Sequence, residues 1–289
     1  MQKFAGLKSS LPKARAARFM ASTSIAQSKD VELKFGDDGF AELSLNRPEV
    51  HNAFNDTVVA HLHDAVREVE RKGTSVRGLF VTSKGKSFSA GGDLNYMKAM
   101  AEAPKERNIA DAAALSKFLN ALSNVGVPTI ALVQGPAYGG GVGLISVCDI
   151  AIGVQSATFA LSEVKLGLLP ATISPYVIQR IGAAQARRYF LTAERFDAPT
   201  AQRIGLLHEV VESAQQLEEW RARFKAILRQ NSPTAIAASK ALITAVAGRT
   251  INEAVILDTA NRLADQRGSP EGAEGVGAFL EKRPAKWTL

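Results

Sequence analysis

The sequence predicts an α/β core closed by an all-helical C-terminal extension. Three observations lead there. Short runs of apolar and β-branched residues, bounded by Gly, Pro or polar turns, recur through the first two thirds of the chain. Stretches between them repeat their apolar residues at helical spacing. From about Gly182 onward only the helical spacing remains.

Val31–Phe35 and Phe40–Leu45 flank Gly36, Asp37, Asp38 and Gly39, a β-hairpin with a short polar loop. Asn46, Arg47 and Pro48 break the second strand. Residues 56–71 then carry Val58, Leu62, Ala65, Val66 and Val69 on one helical face. Residues 78–82 read as a buried strand, 104–125 as a second amphipathic helix, and 128–133 as another buried strand ending at Gly135. Short strands follow at 150–154 and 158–161. The helical part divides near 183–193, 198–204, 214–230, 233–247, 251–267 and 270–281. Thr250 with Glu253 three residues later has capping-box spacing.

Of the 289 residues, 46% are hydrophobic and 22% charged, ordinary for a globular protein. No apolar run reaches the roughly 18 residues of a membrane-spanning helix, so no membrane partner is expected. The single cysteine, Cys148, lies in an apolar run and reads as a buried, inert thiol; one cysteine forms no internal disulfide, which suits a reducing compartment.

The net charge of +7 raises a nucleic-acid reading, which its distribution removes. Residues 1–29 hold Lys3, Lys8, Lys13, Arg15, Arg18 and Lys29 and no acid, leaving about +1 for residues 30–289. This arm is rich in Ala and Ser, with Phe4, Leu7, Leu11, Phe19 and Met20 spaced for a basic amphipathic helix. That is the composition of a mitochondrial transit peptide, the bland alternative being a disordered tail. The matrix is therefore the expected location, or the cytoplasm if the arm is not a signal. The chain divides into the arm (1–29), a core (30–225) and a C-terminal helical region (226–289).

Two glycine-rich turns follow strands. Ser87 to Leu94 reads SFSAGGDL; Gly135 to Leu144 reads GPAYGGGVGL and opens a helix. Such turns let another group approach the backbone, and a helix start offers unpaired N–H groups to it. The second turn lacks the Lys-Ser/Thr of a phosphate loop, and no dinucleotide-binding βαβ unit surrounds it. No HxxxH, CxxC or carboxylate cluster suggests a metal.

At these residues the sequence resembles the crotonase (enoyl-CoA hydratase/isomerase) superfamily, over about residues 31–284. Asn46-Arg47-Pro48 with Asn52-Ala53, FSAGGDL at 88–94, AYGGGVGL with CDIAI, FALSE ending at Glu163, and AFLEKRPA at 278–285 each resemble a family motif in the family's order. The resemblance implies a crotonase-like spiral of ββα units with a helical C-terminal oligomerisation region, assembled as a homotrimer or dimer of trimers. It implies an acyl-CoA thioester as substrate, coenzyme A arriving with it and no permanently bound cofactor. It also implies Glu163 as the acid/base, and the N–H groups of Gly92 and Gly140 as the oxyanion hole for a thioester enolate. Ala53, Ala90, Gly92, Asp93 and Leu94 are then expected along the coenzyme A path, with Phe279 and Lys282 at its nucleotide end, possible contributions across a subunit boundary.

One position departs from the two-carboxylate hydratases. Where they carry the first Glu, on the oxyanion helix, this chain has Gly143. Double-bond isomerases of the superfamily manage with one acid. The segment from Leu169 to Val177, however, resembles hydratases acting on methylglutaconyl-CoA and related branched enoyl-CoAs, whose members also have glycine there. Hydration is the favoured expectation, 3,2-enoyl-CoA isomerisation the alternative, and a non-catalytic or RNA-binding crotonase-fold protein the alternative of another class. On this reading a carboxylate introduced at Gly143 is expected to raise hydration if the backbone tolerates a side chain. Tyr138, Asn95, Tyr96, Ser162, Thr172 and Ser174 are the other polar residues near the site motifs. Asp149 reads as a paired structural acid, and Arg180 as a surface, interface or substrate charge.

Overall fold

The computed structural model describes residues 26–288. In chain order its strands are β1 (Ala26–Gln27), β2 (Val31–Phe35), β3 (Phe40–Leu45), β4 (Gly78–Ser83), β5 (Thr129–Val133), β6 (Ala137–Tyr138), β7 (Ile150–Val154), β8 (Thr158–Ala160), β9 (Phe196–Asp197) and β10 (Glu209–Val211). Its helices are α1 (Asp56–Lys72), α2 (Leu94–Ala101), α3 (Lys105–Asn124), α4 (Gly140–Val147), α5 (Ser174–Thr192), α6 (Ala198–Arg203), α7 (Ala214–Gln230), α8 (Pro233–Val246), α9 (Glu253–Gly268) and α10 (Pro270–Leu280).

One sheet runs β1-β2-β3-β4-β5-β7-β10; β6, β8 and β9 form a smaller one. The hairpin β2–β3 is antiparallel, and its loop closes through the Gly36 N–H on the Phe40 carbonyl at 2.8 Å. From β3 onward the pairs in the large sheet are parallel, because a helical crossover separates each strand from the next. Both faces of these strands are covered, which is why β4 and β5 are continuous apolar runs instead of alternating ones. β5 leads into β6 and then α4; β7 leads into β8 and then α5. Each turn thus lays one strand in each sheet before its helix, the expected spiral of ββα units. Helix α1 buries the predicted face, and Asn55 caps it by accepting the Val58 N–H at 2.9 Å.

Several expectations are corrected. The arm drawn as 1–29 ends inside the sheet, since Ala26 and Gln27 pair with Leu33 and Glu32; residues 1–25, and with them most of the expected transit peptide, lie outside the described residues. The 225/226 division falls within α7, whose Leu217 and Leu228 are buried against the core. Helix α5 begins at Ser174, nine residues before the predicted 183, and carries a non-helical break at Gly182 (φ +76°). Pro175 sits in its first turn, where a missing N–H removes no helical bond. The capping box at Thr250 is not formed. Asn252 caps α9 instead, accepting the Val255 N–H, and Glu253 becomes the first helical residue.

Candidate active site

The two glycine turns lie side by side because backbone bonds stitch three segments together. The N–H of Ala90 meets the His51 carbonyl (2.9 Å), that of Phe54 the Gly91 carbonyl (2.7 Å), and that of Asp93 the Phe54 carbonyl (2.8 Å). On the other side the Tyr138 N–H bonds Ser89 and the Gly139 N–H bonds Ala160. The approach is tight: Gly91 has φ +85°, and a Cβ there would stand 2.8 Å from the Tyr138 carbonyl oxygen. Among the described residues no acceptor takes the N–H of Gly92 or Gly140. Gly140 opens α4, so its N–H belongs to the unpaired, positive end of that helix.

Two cavities meet at this point. One, of about 380 Å³, is lined by His51, Ala53, Ala90, Asp93, Leu94 and neighbours. The other, of about 210 Å³, is lined by Phe54, Tyr96, Asp111, Leu115, Leu169, Ile173 and others. Both share Gly92, Met97, Gly140 and Glu163. The chain thus forms two lobes joined at two donor N–H groups and one carboxylate.

Glu163 stands at the start of a short 3₁₀ turn after β8. Burial raises its carboxyl above the usual carboxylate range, its own backbone N–H offsetting this in part. Its Oε2 is buried with no hydrogen-bond partner among the described residues. Gly139 makes room for it: φ is +49°, and a Cβ at that position would come 2.9 Å from Glu163 Oε1.

Of the residues expected along the coenzyme A path, Ala53, Ala90, Gly92, Asp93 and Leu94 line the larger lobe. Asp93 also organises it. Its Oδ1 accepts the N–H groups of Asn95 and Tyr96, capping α2, while Oδ2 receives Arg47 Nη2 at 3.3 Å. Arg47 Nη1 in turn holds the Ala53 carbonyl at 2.8 Å. Phe279 and Lys282 line neither lobe; Phe279 is 83% exposed at the end of α10. Within one chain the structure does not bring them to the site.

Sequence reasoning missed Asp111, which lines the smaller lobe and accepts the Tyr96 hydroxyl at 2.7 Å. It also left His51 unassigned; that ring lines the larger lobe with Nδ1 3.0 Å from Ser87 Oγ. The other polar candidates divide. Ser162 and Thr172 line the lobes, whereas Ser174 caps locally on the Ala171 carbonyl. Tyr138 is a packed aromatic, bonded to Thr158 Oγ1 with the Arg195 guanidinium over its ring. Asp149 is the expected paired acid, accepting from Thr129 and Lys240. Arg180 is structural, donating to the carbonyls of Cys148, Asp149 and Leu206. Burial pushes the Cys148 thiol up to about 12, as an inert thiol requires. No cluster of metal-ligating side chains occurs among the described residues.

The geometry has counterparts in known proteins. The family model for enoyl-CoA hydratase/isomerase matches residues 36–289. A putative enoyl-CoA hydratase of Thermus thermophilus is 30% identical over 86% of this chain and 96% of its own. A probable mitochondrial enoyl-CoA hydratase of Dictyostelium discoideum is 29% identical over 85% and 86%. The crystal structure of an enoyl-CoA hydratase from Shewanella pealeana superposes with a TM-score of 0.85 at 40% identity, covering 89% of this chain and 96% of that one. The chain belongs to the enoyl-CoA hydratase/isomerase family, the crotonase superfamily that its glycine turns and Glu163 segment resemble.

Proposed function

We propose that this protein hydrates 2-enoyl-CoA thioesters, with Glu163 as the proton-transferring residue and the N–H groups of Gly92 and Gly140 as the oxyanion hole. One observation carries the reading: Glu163, Gly92 and Gly140 stand together where the two lobes meet. The larger lobe then receives the pantetheine arm and the smaller one the acyl chain. Water attacks Cβ while Glu163 takes one of its protons; the C=C π electrons move to the thioester oxygen, held by the two amides. Glu163 returns the proton to Cα as the enolate collapses. Each preorganised donor supports the developing charge by about 3–4 kcal/mol.

The methylglutaconyl-CoA type of substrate would bring a second carboxylate toward Asp111. Among the described residues no lysine or arginine lines the smaller lobe to pair it. The proposal is accordingly for an enoyl chain, straight or branched, without a distal charge. A second reading, 3,2-enoyl-CoA isomerisation, draws on one specific feature: the place of a second carboxylate beside Gly143 is filled by Ile173, leaving Glu163 alone. A panel of acyl-CoAs decides among these. Loss of conjugated thioester absorbance from 2-enoyl-CoAs supports hydration; its appearance from 3-enoyl-CoAs, with 2-enoyl-CoAs untouched, supports the isomerase.

The exposed apolar residues of α9 and α10, among them Ile256, Leu257, Val276, Phe279 and Leu280, support assembly into trimers, with a neighbour's Phe279 and Lys282 completing the nucleotide end. Molar mass by light scattering tests this. The part of the arm before β1, residues 1–25, is proposed as a mitochondrial import sequence on its composition; fusing it to a fluorescent protein and locating it provides the test.

A further inference from the structure

Hydration needs water to be aimed as well as deprotonated, and one carboxylate that must also return the proton is a sparse apparatus for it. The smaller lobe holds a second polar group. Tyr96 and Asp111 form a phenol–carboxylate pair, Oη to Oδ1 at 2.7 Å, in a wall otherwise built largely from hydrocarbon such as Phe54, Val59, Leu115 and Leu169. The pair is part-buried, and a hydrogen bond exchanged against water adds little net stability to folding. The pair is also tied to the reaction centre. Asp93 Oδ1 accepts the Tyr96 N–H, so the turn that presents Gly92 sets where the phenol stands.

The phenol has one proton, and Asp111 receives it; the oxygen is left as an acceptor. Desolvation, and then the bond to Asp111, raise its pKa well above the ordinary phenol range, so the proton stays in place at any working pH. Asn55, another polar residue of the lobe, has its side-chain oxygen engaged on the Val58 N–H.

We propose that Tyr96 holds the attacking water as a hydrogen-bond acceptor, with Asp111 as the positioning residue that keeps the phenol's own proton turned away. One water O–H points at Tyr96 Oη and the other at Glu163, which leaves an oxygen lone pair for Cβ. As the C–O bond forms, Glu163 takes its proton and the π electrons pass to the thioester oxygen; the same proton then goes to Cα. Tyr96 and Asp111 end with the protons they began with. This rests on the hydratase reading above.

The test compares two reactions of one enzyme. Hydration needs an aimed water; exchange of the α-protons of a saturated acyl-CoA with deuterium from D₂O needs only Glu163 and the oxyanion amides. Tyr96→Phe is expected to lower kcat for hydration on the order of 100-fold, leaving KM and α-exchange within about twofold. Asp111→Ala should follow it, whereas Asp111→Asn keeps an acceptor for the phenol and should retain most turnover. Hydration by Tyr96→Phe within about twofold of wild type would overturn the proposal. So would a parallel fall of hydration and exchange, which would mark the pair as a support for the Gly92 turn only. Glu163→Gln in the same assays separates the two inferences: if it leaves hydration intact, the reading of Glu163 fails whatever Tyr96 does.

Discussion

Gly143 and Ile173 face each other so closely that only one of them has room for a side chain. A Cβ on Gly143 would lie 2.7 Å from Ile173 Cβ and closer still to its Cγ2. Both residues are buried, Ile173 at 2% exposure, so neither has an easy way out. The glycine is therefore packed against, and the missing carboxylate has no space waiting for it.

Gly143→Glu is expected to raise hydration only where a side chain has room, and beside Ile173 it has none. The single variant should lose about 1–3 kcal/mol or more through overpacking, with no gain in turnover. Gly143→Glu combined with Ile173→Gly opens the space and should recover both stability and hydration of a straight-chain 2-enoyl-CoA relative to the single variant. Thermal midpoints and the enoyl-thioester absorbance assay check this; a single variant as stable as wild type would contradict the packing argument.

Glu163→Gln should lower turnover by about 100-fold or more while coenzyme A binding persists, measured by steady-state kinetics and calorimetry. On the proposed mechanism Glu163 is ionised when it accepts water's proton, so the acid limb of kcat/KM should have its midpoint above the ordinary 4.5.

The same residue predicts a stability effect. With the folded value raised by burial, the native state holds the Glu163 proton between 4.5 and that higher value, where the unfolded chain has released it. Its contribution to stability is present below 4.5 and is lost as pH rises through the folded value. Glu163→Gln should therefore melt at a higher temperature than wild type at pH 8, and the difference should vanish near pH 4. Equal melting temperatures at pH 8 would count against a buried, unpaired carboxylate.

Gly140→Val should reduce turnover by about 100-fold or more, since a branched side chain at the head of α4 disturbs the amide proposed to receive the thioester oxygen. The added Cβ would meet the Phe54 ring at 3.1 Å, so the site must shift even if the fold survives. Circular dichroism confirms folding, and kcat reads the loss.

Removing residues 1–25 should leave turnover and melting temperature unchanged, whereas removing 1–29 should lower stability by about 1 kcal/mol or more. The second cut takes away β1, the Ser28 hydroxyl that accepts the Asp30 and Val31 N–H groups, and the Lys29 carbonyl that Asn46 Nδ2 reaches at 3.0 Å. Parallel melting curves of the two truncations provide the comparison.

What could be read along the chain was whatever neighbours in sequence decide. The 3.6-residue repeat of Val58, Leu62, Ala65 and Val69, the apolar run of β5 and the loop of the β2–β3 hairpin each depend on residues a few positions apart. The family resemblance extended this to Gly92, Gly140 and Glu163, because motifs keep their order and spacing. Helix α2 escaped notice since Met100 alone is buried in it, leaving no apolar stripe to detect. The two-residue strands β6 and β9 are too short for any alternation to show. Tertiary structure alone decided which distant residues share a wall: Asp111 beside Tyr96, fifteen residues away, and Ile173 in the space that Gly143 leaves, thirty residues on. Those pairings follow from how whole helices and loops pack, a property of the assembled core that no local pattern of side chains encodes.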